Sequence, residues 1–313
     1  MDLTKVDLHN LTPEQFEEYF EHVKANPEKY CQAHIKYHTQ VSKFRKKLEW
    51  LKLYDQIELK AKLADKYAVR NYVADTLSYY INRKGHPKYF GKQQRGHDFL
   101  MPLLGRWNNA DEIDFDKLPR PFILKCNHGS GMNLIFNPDP LDREDKVMTL
   151  DHVRRVFNHM LQSDFSRKTE EIHYSLIPRC IIAEEYKGKL LSYFIKCFNG
   201  KVKTVTIVNI PDTSVGEYNF DREFNELPIT YNHAKRASYP IEKPANWQRL
   251  IEVAEALCAQ FKFVRCDLYA LENGDIKFSE MTFTPASMEF TVQPPEWEER
   301  LDQWLKETDI PVD

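Results

Sequence analysis

The chain has 313 residues, enough for two domains or for one with a large insertion. Its 42% apolar and 13% aromatic content supports a real core, and a net charge of −3 gives no bulk electrostatic argument for nucleic acid or a membrane surface. No apolar run reaches the roughly 18 residues of a membrane span, and the N-terminus lacks a basic-then-apolar leader, so a cytoplasmic protein with no integral membrane segment is expected.

Residues 1–84 read as helical. Thr12-Pro13-Glu14-Gln15 has the form of a helix start, with a threonine cap, proline at the first helical position and glutamine at the third. From Tyr30 to Tyr80 apolar residues recur at helical spacing, with Leu59, Leu63, Tyr67 and Arg70 on one face. Lys66 and Arg70 have two readings: helix-surface pairs with Asp65, or contact with an anionic ligand. Gly85 to Arg120 is punctuated by glycine and proline around apolar islands such as Phe99–Leu104, and reads as loops with brief strand or helix.

The pattern changes at Leu118. Phe122–Cys126 is an apolar strand that runs into Asn127-His128-Gly129-Ser130-Gly131-Met132-Asn133 and on into a strand at Leu134–Phe136. The chain holds only ten glycines, so two within three positions stand out. Such glycines let backbone N–H groups turn toward a phosphate, and His128, Ser130 and Asn133 can add donors. No G-K-[ST] follows, so this is no P-loop, and an ordinary hairpin loop has the same look. Lys125, ending an apolar strand beside the loop, can hold phosphates as a point charge.

Leu150–Asp164 is an amphipathic helix, and Ile177–Tyr186 a strand that breaks into acidic residues. Leu190–Phe198 and Val202–Val208 form a hairpin about Asn199-Gly200, a type I′ turn pair. Lys196 within it reads on first principles as a solvated strand lysine. Asn209–Tyr239 is long, polar and aperiodic, in the manner of lids; its Lys235 and Arg236 are either solvated or turned toward an acceptor. Pro244–Ala259 is an amphipathic helix, and the C-terminal stretch ends in a short helix around Trp297–Leu305. The six cysteines (Cys31, Cys126, Cys180, Cys197, Cys258 and Cys266) show no C-x-x-C spacing, which predicts buried free thiols and no zinc.

Phe261 to Pro285 predicts a second hairpin. With Asn273-Gly274 as a two-residue loop, Glu272 faces Asp275, Asp267 falls opposite Glu280, and Arg265 opposite Thr282. Asp267, Glu280, Arg265 and Thr282 then share one face, while Val264, Cys266, Leu268 and Ala270 take the other. Opposed like charges destabilise a sheet, so the acidic pair calls for a cation. Arg265 is one candidate and a divalent metal is another. Two carboxylates and the Thr282 hydroxyl are oxygen ligands of the type that hold Mg²⁺ beside phosphates. Solvated carboxylates on an exposed face account for the pair equally well.

Together, K-L-A-D-K-Y-A-V-R-N-Y-V (62–73), L-P-R-P-F-I-L-K-C-N-H-G-S-G (118–131), I-I-A-E-E-Y (181–186), C-F-N-G-K (197–201) and V-R-C-D-L-Y with F-S-E-M-T-F (264–269, 278–283) resemble the TupA-like family of ATP-grasp enzymes. The resemblance implies an α+β fold of two lobes with antiparallel sheets that hold ATP between them. Residues 1–117 would be a mainly helical N-terminal region, 118–186 the lobe with phosphate loop and hinge, and 187–313 the lobe with the metal site. It places Lys125 on the α/β-phosphates and His128, Gly129, Ser130 and Gly131 in the closing loop. Ala183, Glu184, Glu185 and Tyr186 would read adenine and ribose. Asp267, Glu280 and Thr282 would hold Mg²⁺, and Arg265 would face the γ-phosphate or an acyl phosphate.

This chain departs from the pattern twice. Thr282 stands where relatives carry an Asn ligand. Phe194 stands where relatives reading D-Y-K-F carry a lysine, and Lys196, on the same strand face, is its suggested replacement. The reaction implied is ATP-dependent joining of a carboxylate to an amine, with Arg236 near the acceptor. By family analogy the carboxylate is a uronic acid of a bacterial surface polysaccharide or its precursor. A phosphotransferase and a non-catalytic nucleotide-binding assembly protein are the alternatives. A glycosyltransferase is disfavoured because no Asp-x-Asp motif is evident. Oligomeric state is left open.

Overall fold

The computed structural model describes residues 18, 42–84, 95–136, 149–208, 217–231, 241–305 and 310. The helix start at Thr12, and Lys235 and Arg236, lie outside these residues.

Three helices open the described chain: α1 (Lys43–Tyr54), α2 (Ile57–Ala64) and α3 (Val69–Lys84). The helical periodicity is real, but the helix is not continuous. Gln56 adopts a left-handed conformation with φ 51° between α1 and α2. Between α2 and α3 the Asp65 carboxylate accepts from the N–H groups of Tyr67 and Ala68 at 2.8 and 3.2 Å. A short acidic side chain competes for backbone donors in this way, so one helix stops and another starts.

Four antiparallel strands form the first sheet, in the order β1 (Leu103–Trp107), β4 (Ile181–Glu185), β2 (Phe122–Cys126), β3 (Asn133–Phe136). Alternation puts Phe122, Leu124, Cys126, Ile181 and Ala183 on one face, buried against Val153 and Phe157 of α4 (Leu150–Gln162). Lys125 and Glu184 are left on the other face.

The second sheet runs β10 (Ile276–Thr282), β9 (Phe263–Ala270), β5 (Ser192–Phe198), β6 (Lys201–Val208), β7 (Tyr218–Phe220), also antiparallel. Its apolar face, including Ile195, Val205, Val264, Cys266 and Leu268, packs on Leu250, Ala254 and Leu257 of the helix Trp247–Cys258 and on Val73 and Leu77 of α3. A third cluster joins Phe44, Leu48 and Leu51 of α1 to Leu301 and Leu305 of the C-terminal helix region and to Phe198 and Phe263. The cysteines Cys126, Cys180, Cys197, Cys258 and Cys266 are free and buried. No helix among the described residues is long and apolar enough to cross a membrane.

The two hairpins differ in their turns. Asn199 and Gly200 have φ of 49° and 70°, and Phe198 pairs with Lys201, which is the expected type I′ loop. The loop around Asn273-Gly274 is longer than the sequence predicts. Leu271 N–H donates to Asp275 at 2.8 Å and Ile276 pairs with Ala270, so three residues turn the chain and Gly274 closes it at φ 83°. That shifts the register by one. An irregularity between Phe278 and Glu280 shifts it back, and Asp267 does face Glu280 and Arg265 does face Thr282.

The two turn glycines give a stability test. A Cβ on Gly200 would lie 2.7 Å from the Ala259 carbonyl oxygen, whereas one on Gly274 meets nothing within 4 Å. Gly274→Ala should cost only the left-handed backbone term of roughly 1–2 kcal/mol. Gly200→Ala should cost at least about 1 kcal/mol more in urea denaturation, because the backbone must also move.

Candidate active site

The second sheet turns a polar face toward Lys66 and Lys125, whose charges act on its Glu280, and the space between these groups is the candidate cleft. Arg265 sits at the centre of that face. Its Nε and Nη2 donate to Asp267 Oδ1 and Oδ2, both at 2.7 Å. The same Nη2 lies 3.0 Å from Glu280 Oε1 and 3.1 Å from Thr282 Oγ1. Thr282 in turn donates to Glu280 Oε1 at 3.0 Å. The guanidinium stacks over the Phe194 ring, 4.4 Å from its centroid. Burial pushes Asp267 up to about 7, with Arg265 pulling the other way. Burial also works against the Glu280 carboxylate, but Lys66 and Arg265 outweigh it and hold Glu280 below the usual range.

The first sheet brings cations to the opposite wall. Lys125 Nζ lies 2.7 Å from Glu184 Oε2, and Arg70 Nη1 lies 2.6 Å from Glu184 Oε1. Burial disfavours the Lys125 ammonium, yet Glu184 more than compensates and raises its proton affinity. Lys66 donates to the Gly129 carbonyl in the glycine loop. Burial lowers the Lys66 pKa, partly offset by Glu280. Of the two sequence readings of Lys66 and Arg70, helix-surface pairing is not what the structure shows. Lys66, in the turn between α2 and α3, reaches the loop, and Arg70, in the first turn of α3, reaches β4.

One organising residue carried no sequence signal. Asn127 is fully buried, and its amide donates to Asp65 Oδ1 and to the Pro178 carbonyl, each at 2.8 Å. Its oxygen accepts from Cys180 N–H at 2.8 Å. Asp65, which starts α3, is thereby tied to the base of the glycine loop and to the segment entering β4. This single side chain sets where Lys66, Lys125 and the loop stand relative to one another.

Some expected site residues stand elsewhere or are already engaged. The His128 ring is buried and faces inward, with Nε2 3.2 Å from the Met160 carbonyl on α4, and burial lowers its pKa. It anchors the loop instead of lining the cleft. Ser130 and Gly131 are exposed at the loop tip, and Gly131 has φ 73°. In β4 the N–H groups of Glu185 and Tyr186 already donate to the Pro102 and Pro121 carbonyls, at 3.0 and 3.1 Å.

Lys196 is not the solvated lysine that an isolated strand suggests. It is 7% exposed, donates to Thr206 Oγ1 at 2.9 Å, and lies 3.7 Å from the centroid of the Tyr231 ring. Burial, reinforced by Arg265 across the β5–β9 pair, lowers its pKa to about 7. Thr206 continues the polar row by donating to Asn219 Oδ1 at 2.6 Å. Directly after β10, Ala286, Ser287 and Met288 all hold left-handed backbone, with φ 50°, 53° and 65°. Three successive non-glycine residues in that region concentrate backbone strain a few residues past the strand that carries Glu280 and Thr282.

The oxygen set suits a hard divalent ion that arrives with other ligands. Among the described residues no group of three or more His, Cys, Asp or Glu could hold a metal by itself. Asp267, Glu280 and Thr282 supply two carboxylates and a hydroxyl. Mg²⁺ is commonly held by one or two carboxylates together with water and substrate phosphates. That Arg265 now bridges the same three oxygens shows that they converge on one cation-sized point.

The model of the family described as TupA-like ATPgrasp matches residues 46–307. Among solved structures, the chain is similar to an L-amino acid ligase from Bacillus licheniformis, at 11% identity over 86% of this chain and 55% of that one, with a TM-score of 0.43. It is also similar to D-alanine–D-alanine ligase from Helicobacter pylori, at 12% identity over 80% and 60%, TM-score 0.44. A third is D-alanine–D-alanine ligase from Bacillus anthracis complexed with ATP, at 14% identity over 71% and 54%, TM-score 0.34. The chain spans roughly half to three-fifths of the length of these solved proteins. No curated protein matches it.

The Lys196 environment makes a measurable prediction. Its folded pKa lies below that of an unfolded lysine, so between about pH 7 and pH 10 the unfolded chain holds the extra proton. Stability should therefore rise with pH across that window. From pH 7 to 9 the wild type should gain about 2 kcal/mol of unfolding free energy relative to Lys196→Met. Parallel pH profiles for the two proteins in urea denaturation would remove the buried-amine assignment.

Proposed function

This chain belongs to the TupA-like ATP-grasp family, and from that premise we propose that it is an ATP-dependent carboxylate–amine ligase. The observation that carries the reading is the cross-strand pair Asp267–Glu280, set opposite Lys125 and Lys66 across one cleft. Acidic residues on one wall and lysines on the other form a place for a metal-bound polyphosphate.

Asp267, Glu280 and, more weakly, Thr282 hold Mg²⁺ in this reading, where it would neutralise phosphate charge. Lys125 and Lys66 contact the phosphates, and Ser130 and Gly131 close over them. The adenine lies along the chain leaving β4, from Glu184 through Tyr186 and on to Lys187. A substrate carboxylate oxygen attacks the γ-phosphorus, and the bond to the β–γ bridging oxygen breaks, giving an acyl phosphate and ADP. The amine nitrogen then attacks the acyl carbon, inorganic phosphate leaves, one proton is lost, and an amide remains. Arg265 steadies the transferring phosphoryl group, where electrostatic terms are the main source of rate. In this reading Lys196, paired across the sheet with Arg265 and with a pKa near 7, supports the acyl end, and Arg236 serves the acceptor. The five described cysteines are buried, and no cysteine serves as a nucleophile in this reading.

For substrates, we infer an amino acid or other amine and a uronic-acid carboxylate of a bacterial surface polysaccharide or its precursor. This inference rests on family membership alone. The test is an ADP-release screen of uronic acids and sugar nucleotides against amino acids. Release should require a carboxylate and an amine together. Asp267→Asn and Glu280→Gln should each reduce it by at least about 100-fold, in line with loss of one electrostatic group in such a site. Turnover with a hydroxyl acceptor and no carboxylate would overturn the ligase reading in favour of a phosphotransferase.

A further inference from the structure

In this structure Arg265 occupies the point on which the metal-binding oxygens converge. Its Nη2 lies within 2.7 Å of Asp267 Oδ2, 3.0 Å of Glu280 Oε1 and 3.1 Å of Thr282 Oγ1, while Nε holds the other Asp267 oxygen at 2.7 Å. The Phe194 ring supports the guanidinium from one side at 4.4 Å. That ring stands where the family resemblance leads one to expect a lysine, so the support belongs to this chain's own sequence.

We propose that Arg265 determines the selectivity of the site for a metal–nucleotide complex over the free metal, by filling the metal position until phosphates draw it away. The inference rests on reading the cleft as a metal–nucleotide site. Mg²⁺ binds oxygen at about 2.0–2.1 Å, so an ion on Asp267 and Glu280 would compete for the oxygens that Arg265 now holds. Charge count points the same way. Two carboxylates face one guanidinium, and a divalent ion added to the set leaves an excess of positive charge, with Lys66 and Lys125 also acting on Glu280. A bare ion therefore meets repulsion and a competing ligand. A triphosphate removes both obstacles. It brings the missing negative charge, and its oxygens accept the planar fork of an arginine in place of Asp267.

The experiment measures Mn²⁺ binding by electron paramagnetic resonance, with and without ADP, in wild type, Arg265→Gln and Arg265→Lys. Wild type should bind nucleotide-free Mn²⁺ at least tenfold more weakly than Arg265→Gln, and should bind it well once ADP is present. Arg265→Lys should fall between, because an ammonium cannot grip Asp267 and Glu280 as a fork. If the glutamine variant folds only with metal, a Mn²⁺-induced rise in its Tm, absent in wild type, reports the same selectivity. The proposal is overturned if neither variant binds nucleotide-free Mn²⁺ more tightly than wild type while the Mn²⁺–ADP complex still binds. A wild type that binds no Mn²⁺–ADP at all overturns the underlying site reading instead, and this proposal with it.

Discussion

Two carboxylates facing each other across adjacent strands repel, and burial makes the repulsion worse. Asp267 and Glu280 stand in that relation, and a cation between them is what makes the arrangement tenable. Arg265 provides it, from the same strand as Asp267 and opposite Thr282. The need for positive charge at this point organises the cleft. It fixes the polar face of the second sheet, and it explains why Phe194, a flat ring, can stand where a charged residue is expected: it stacks on the guanidinium.

The opposite wall shows the inverse pattern. Lys125 and Arg70 converge on a single carboxylate, Glu184, which leaves excess positive charge on that side of the cleft. Such pairs are modest contributors to stability when buried, because desolvation offsets much of the attraction. Their value here is positional. With the Asp65–Asn127 hydrogen bond they lock the end of α2, the start of α3, the glycine loop and β4 into one frame. Glu184 also raises the proton affinity of Lys125, so that this buried ammonium stays charged.

The hairpin from Phe263 to Thr282 shows how far local rules reach. Its strands, its turn region and the facing of Asp267 by Glu280 were all legible from alternation and from Asn273-Gly274. The loop length was not, because a three-residue turn ending in a left-handed glycine satisfies the same residues as a two-residue one. The register survived only because an irregularity between Phe278 and Glu280 compensates the shift. The other hairpin also carries an irregularity, between Lys196 and Cys197, but its loop is the two-residue turn that Asn199-Gly200 favours. Lys196 is the contrasting case. A lysine at an alternating strand position looks solvated, yet β8 (Thr230–Tyr231) brings the Tyr231 ring over it from a segment no periodicity connects to β5.

The sequence by itself determined β2 to β6, β9 and β10, the main helices, the acidic pair and the lysine before the glycine loop, because those follow from period, turn chemistry and the faces of a pleated strand; β1, β7 and β8, in stretches that read as loop, did not. Tertiary structure decided the rest. It broke the N-terminal helical run at Asp65, turned His128 inward, buried Lys196, and made Asn127 the tie between helix and loop. The break at Asp65 has a local component, its carboxylate accepting from the Tyr67 and Ala68 N–H groups, but the other three share one physical reason. A polar side chain's role depends on which donors, acceptors and low-dielectric surroundings the fold brings to it from distant segments, and nothing within a few residues of it along the chain encodes them.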